Sequence, residues 1–150
     1  MRGVTAPSTS VDLAGLASQL RIGVTRLARR LRLEGDASVT PTLLVALATI
    51  ERHGPMTAGE LAVHEQVRKP TVTRLIGALL ERGMIERTSD PVDGRVSWVQ
   101  LSSEGRRFLQ RVRRRKDEYL SRRLRRLTPE ELDTLARASA LLERLTEDDR

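Results

Sequence analysis

The residues best fitted for chemistry in this chain are gathered in two places. One is the run Arg68-Lys69-Pro70-Thr71-Val72-Thr73-Arg74, and the other is the triplet Asp93-Gly94-Arg95. Their chemistry is recognition of a polyanion. Arginine meets phosphate as a charge and guanine as a two-pronged donor, and threonine hydroxyls reach phosphate or base edges. Val72, Leu75, Ile76 and Leu79 recur at i, i+3, i+4 and i+7, the spacing of a buried helix face. Pro70, Arg74, Gly77 and Glu81 then point away from the core, with Thr71 and Thr73 at the flanks. An outward face of small and hydroxylated residues around one arginine suits a DNA major groove. Lys69 is a poor cap and Pro70 offers no amide, so the helix start is left positive and open to phosphate. Arg95, projected from a stiff loop, fits the narrow and strongly negative minor groove, with Asp93 orienting it or pairing with a nearby arginine. The plainer readings are an ordinary solvated helix and a surface hairpin whose ion pair is worth little. A capped helix before the run and a hairpin after it favour the nucleic-acid reading, and Thr57, at the start of that earlier helix, is counted with the DNA-facing residues.

Composition narrows the alternatives. Lys and Arg number 27 against 20 Asp and Glu, a formal charge of +7 that favours a polyanionic partner. Aromatic residues make up 2% of the chain, which argues against base-stacking RNA readers. The lack of cysteine excludes disulfides, thiolate zinc sites and cysteine redox sensing. His53 and His64 are the only histidines; a zinc site would need Glu60 or Glu65 as well, and both histidines are read as structural. No phosphate-cradling glycine loop, nucleophile elbow or histidine–carboxylate arrangement with catalytic spacing is present, so neither an enzyme nor a cofactor is expected. No apolar run approaches the roughly 18 residues of a membrane span. Residues 1–10, MRGVTAPSTS, lack the apolar core of a signal peptide and read as a disordered lead-in, which makes a cytoplasmic protein the expectation.

The elements that must position these residues are legible from caps and periodicity. A first helix, starting at Ser10 or Asp12, carries Leu13, Leu16, Leu20, Val24, Leu27 and Leu31 on an almost heptad stripe. Thr40-Pro41 opens a second helix with Leu43, Leu44, Leu47 and Ile50 inward, stopped by His53-Gly54-Pro55. Thr57 and Glu60 form a capping box for a short third helix. The fourth has Pro70 as its first residue and Gly83 as a left-handed stop. Strands are expected near 84–88 and 96–101, joined by an exposed loop with Pro91 and Asp93-Gly94. Ser102 or Ser103 caps a long arginine-rich helix to about Arg126, with Phe108 or Leu109, Val112, Leu120 and Leu124 as its apolar stripe. Thr128-Pro129-Glu130-Glu131 is a second capping box, and the last helix carries Leu132, Leu135, Leu142 and Leu145 on one side. The fold class is therefore mainly α with a small β-hairpin wing. Residues 40–102 form a winged helix-turn-helix, and 11–35 with 103–150 form a helical dimerisation region. The stripes Leu13, Leu16, Leu20 and Leu132, Leu135, Leu142 are most economically covered by a second copy of the chain.

Asp93-Gly94-Arg95 followed by Leu101-Ser102-Ser103-Glu104-Gly105 resembles the MarR family wing signature, an Asp-x-Arg that leads into a Leu-Thr-x-x-Gly helix start. Arg68 to Leu75 is similar to that family's recognition-helix opening, and Glu81-Arg82-Gly83-Met84-Ile85-Glu86-Arg87 to its exit into the wing. The resemblance covers 12–146 in element order, with specific motifs confined to 56–105. Ser102 departs from the commoner threonine, which a hydroxyl cap tolerates. The resemblance implies a homodimeric transcriptional regulator, a repressor reading a palindromic site on double-stranded DNA, with one recognition helix per half-site. It also implies a small anionic aromatic effector that weakens DNA binding. Such a ligand is expected between reader and dimer arm, its carboxylate on arginine-rich helix ends and its ring among apolar side chains of the first two helices. The competing reading is a winged-helix protein-interaction module that binds no DNA; it keeps the buried faces but has no use for Arg74, Arg95 and an open basic helix end together.

Overall fold

The computed structural model describes residues 11–36 and 38–147 of the 150-residue chain. The lead-in expected for 1–10, and Ser10 as a first cap, lie outside the described residues. The elements run α1 (Leu13–Leu33), α2 (Pro41–His53), β1 (Met56–Thr57), α3 (Ala58–His64), α4 (Lys69–Glu81), β2 (Ile85–Ser89), β3 (Ser97–Leu101), α5 (Ser103–Leu124) and α6 (Pro129–Arg144). Two compact units are present, α1 by itself and everything from residue 34 onward.

In α1 the leucine stripe of the sequence is a real helix face, yet none of its residues is buried. The second unit holds the core. Thr40 caps α2 by accepting from the Leu43 amide, with Pro41 in the first turn, and the helix buries Leu43, Ala46, Leu47 and Ile50. Leu44, expected inward, is only partly buried, and Ala46 takes its place on the inner face. These residues pack against Leu61 of α3 and Val72, Leu75, Ile76 and Leu79 of α4, and against Ile85, Val99 and Leu101 of the strands. Leu47, Ile50, Leu61, Ile76 and Leu79 are at most 1% exposed. Each such burial contributes about 1.5–3 kcal/mol.

The strands form a three-stranded antiparallel sheet in the order β1-β3-β2. Ile85 pairs with Leu101, Arg87 with Val99 and Ser89 with Ser97 across the hairpin, and Met56 pairs with Val99 from the other side. β1 has no counterpart in the sequence reading, because two residues carry no periodicity. Three further expectations are corrected. The cap of α4 is Arg68, not Lys69, because the amides of Thr71 and Val72 both close on the Arg68 carbonyl. Lys69 is then the first helical residue and Pro70 the second. The apolar stripe of α5 ends on Tyr119, which is buried, while Leu120 is half-buried and Leu124 is 37% exposed. Finally, α5 stops at Leu124, short of Arg126.

Gly83 ends α4 at φ +63°, a left-handed conformation that only glycine adopts without strain. The Met84 amide donates back to the Leu79 carbonyl at 3.0 Å. From there the chain enters the hairpin and returns to Ser102, whose Oγ donates to the Gly83 carbonyl (2.6 Å) and accepts from the Gly105 amide (2.9 Å). One hydroxyl thus ties the end of the fourth helix to the start of the fifth.

Candidate nucleic-acid interface

Helix α3 is set by its capping box: the Thr57 Oγ1 accepts from the Glu60 amide at 3.2 Å, and Glu60 Oε2 accepts from the Thr57 amide at 2.7 Å. The Thr57 hydroxyl also donates to Glu60 Oε2 at 2.9 Å, so this side chain is engaged in the cap itself. The carboxyl of Glu60 is held below its usual range by these bonds, first by the backbone of Thr57 and then by its hydroxyl. At the other end of α3, Thr49 Oγ1 donates to Glu65 Oε1 at 2.5 Å, and the rings of His53 and His64 stack with centroids 4.4 Å apart. Both contacts fasten α3 to α2. Glu60 and Glu65, the carboxylates a zinc site would have needed, are thereby engaged, and among the described residues no group of three metal-ligating side chains exists.

The turn between α3 and α4 passes through Gln66 at φ +53°, closed by the Val67 amide on the Ala62 carbonyl at 3.1 Å. A left-handed glutamine costs about 1–2 kcal/mol relative to an ordinary helical geometry. Helix α4 then opens with no side-chain cap and no acidic residue in its first turn. Arg68, Lys69, Pro70, Thr71, Thr73 and Arg74 are all exposed, with Pro70 and Arg74 opposite the buried stripe and Thr71 and Thr73 at its flanks. Thr73 donates its hydroxyl to the Lys69 carbonyl at 3.1 Å, which leaves the oxygen able to accept.

The wing is held by a residue that sequence reasoning missed. Asp90 Oδ1 accepts from the amides of Val92 (2.8 Å) and Asp93 (3.0 Å), and its Oδ2 accepts from the indole Nε1 of Trp98 (3.1 Å). The Asp93 backbone amide is the largest of the influences that hold the Asp90 carboxyl below its usual range, followed by Val92 and Trp98. Asp93 has a narrower part than expected. Its Oδ1 accepts from the backbone amide of Arg95 at 3.0 Å and leaves the guanidinium alone. The signal for Asp90 was an aspartate two residues before Val92, the Asx-turn spacing; its bond to Trp98 spans the whole hairpin loop and left no local trace.

Charge pairing engages some of the arginines and leaves others open. Early in α5, Arg106 donates to the Leu101 carbonyl at 2.9 Å, and Arg107 and Arg111 share Glu104. Arg113 makes a forked pair with Glu51, and Arg115 reaches Asp36 at 3.3 Å. By contrast Arg68, Lys69, Arg74 and Arg95 form no ion pair among the described residues, and all four are exposed. Arg52, Arg87, Arg114, Arg122, Arg125 and Arg126 are likewise exposed and without an ion pair among the described residues, so the four are set apart by their place on the helix start, its outward face and the hairpin tip, not by openness alone.

A helix, a two-residue strand, two further helices and a hairpin in this order form a winged helix-turn-helix. The MarR family model matches residues 39–97. A helix-turn-helix-type transcriptional regulator of Mycobacterium tuberculosis is 40% identical over 130 residues, 86% of this chain and 91% of its own. The helix-turn-helix-type transcriptional repressor MdtR of Bacillus subtilis is 32% identical over 111 residues, covering 74% of this chain and 72% of its own. The crystal structure of a protein described as a transcriptional regulator of Pseudomonas aeruginosa superposes with a TM-score of 0.82 at 40% identity, over 94% of this chain and 99% of that one. The chain belongs to the MarR family of transcriptional regulators, and it is not an enzyme. Among the described residues no helix is long and apolar enough to cross a membrane.

Proposed function

We propose that this protein is a repressor that binds a palindromic DNA site as a homodimer. The observation that carries the reading is the set of exposed, unpaired cations on α4 and the wing beside an α5 whose first arginines are mostly engaged. Arg74 reads base edges in the major groove, Arg68 and Lys69 hold phosphates at the helix start, and Arg95 enters the minor groove. The exposed leucines of α1 and α6 are the surfaces a second copy covers, and two recognition helices then meet half-sites about one DNA turn apart.

The test is selection of duplexes from a randomised pool by the full-length protein, followed by affinity measurements across a salt series. The reading expects an enriched inverted repeat and a steep salt dependence. A pool that yields no enriched sequence would leave the winged-helix protein-interaction module in its place. The resemblance to the family further supports release by a small aromatic anion, checked by titrating salicylate-like compounds into the complex at constant ionic strength. Release that follows ionic strength alone, with no calorimetric binding to free protein, removes the effector from the proposal.

A further inference from the structure

The wing tip has almost nothing to pack against. Pro91, Val92, Asp93, Gly94 and Arg95 are all exposed, Val92 at 94%. Its order therefore comes from hydrogen bonds, and the carboxylate of Asp90 supplies three of them. Two run to amides within the loop, and the third runs to Trp98. Trp98 belongs to the central strand, where its backbone is paired with Thr88 on one side and Thr57 on the other. The indole is thus a fixed post, and the carboxylate fastens the loop to it.

We propose that Asp90 and Trp98 form the brace that holds Arg95 ready for DNA, Asp90 being a positioning residue for an arginine it does not touch. The inference rests on the reading of Arg95 as a DNA contact. The path from one to the other is short: Asp90 fixes the amide of Asp93, and Asp93 Oδ1 in turn holds the amide of Arg95. An exposed loop gives up backbone freedom at every residue when it is ordered. A loop ordered before DNA arrives spares the complex that loss. All three groups facing Asp90 are donors, and both of its oxygens accept. Asparagine there offers one accepting oxygen and presents an N–H group to a donor, so either the turn or the indole bond is lost.

The experiment is a double-mutant cycle, read by anisotropy of a labelled duplex selected from a random pool by the native protein, with melting followed by circular dichroism. In the native background, Asp90→Asn and Trp98→Phe each weaken binding about fivefold, the size of one lost hydrogen bond. The two together weaken it by less than the product of the single losses, because both act on one brace. In an Arg95→Ala background neither change alters affinity by more than about twofold. A brace that acts on the fold in general would reduce affinity equally in both backgrounds, and that result overturns the proposal. Unchanged affinity of Asp90→Asn and Trp98→Phe beside a clear loss for Arg95→Ala overturns the brace and leaves the wing contact standing. Native affinity of Arg95→Ala removes the wing contact and the brace with it. Trp98→Phe keeps an aromatic ring on the sheet, so it carries the cycle by itself if Asp90→Asn does not fold.

Discussion

A Cβ at Gly105 would lie 2.0 Å from the carbonyl oxygen of Met84 and 3.0 Å from its carbon. Both are backbone atoms pinned by the turn out of α4, so neither can give way. Gly105→Ala is therefore expected to destabilise the protein by about 1–3 kcal/mol or more, read as a lowered melting temperature, and a melting curve that matches the native one would contradict the close approach. Among the exposed cations the expected effects differ in kind. Arg74→Ala should weaken binding and flatten the ranking of variant operators, since a lost base contact costs about 1–3 kcal/mol at one position. Lys69→Ala should weaken all duplexes alike and lower the salt slope by about one unit. If Arg74→Ala preserves the ranking, its contact is with phosphate. These residues were legible in the sequence because the buried stripe of α4 dictates what faces outward. Asp90 and Trp98 were not, since their bond joins side chains eight residues apart across a loop, which no helical or strand period encodes.

The helices announced themselves through their first turns. Thr40, Thr57, Ser102 and Thr128 each accept from the amide three residues on, and residue type together with the proline or glutamate that follows marks the three threonines as caps, while Ser103 is an equal candidate beside Ser102. Losing one such cap costs about 1 kcal/mol, so Thr57→Ala should lower the denaturation midpoint measurably while leaving α4's outward face intact. What propensity could not show was β1, two residues whose strand character exists only because β3 lies beside them. The wing offers a further test in acid. The carboxyl of Asp90 is depressed first by the amide of Asp93, then by that of Val92 and the indole of Trp98. A carboxyl of this kind contributes stability above its unfolded value, and that contribution is lost as the pH falls through the folded one. Emission from Trp98, the sole tryptophan, should stay flat from neutrality to the ordinary value of 3.8 and shift below it, with the shift altered in Asp90→Asn. A transition between pH 7 and 5 would speak against this brace.

At the scale of the molecule, α1 and α6 bury none of their residues, although each carries a leucine face. Leu16 and Leu20 are 42% and 39% exposed, and Leu135 and Leu142 are 47% and 39% exposed. Sedimentation at micromolar concentration is expected to show a dimer. Leu20→Glu or Leu135→Glu should give a folded monomer that binds a full site at least about a hundredfold more weakly, because the second half-site is no longer tethered. A native chain that sediments as a monomer would defeat this. The junction at Ser102 and Gly105 has a mechanical consequence for such a pair. Helix α5 has 22 residues and is therefore a rod about 33 Å long, rooted in the backbone that leaves α4. A swing of about 5° at the root carries the far end about 3 Å sideways. In the proposed dimer the long helix would act as a lever with its short arm at α4, a displacement of about 3 Å where α6 begins corresponding to a turn of about 5° at the root.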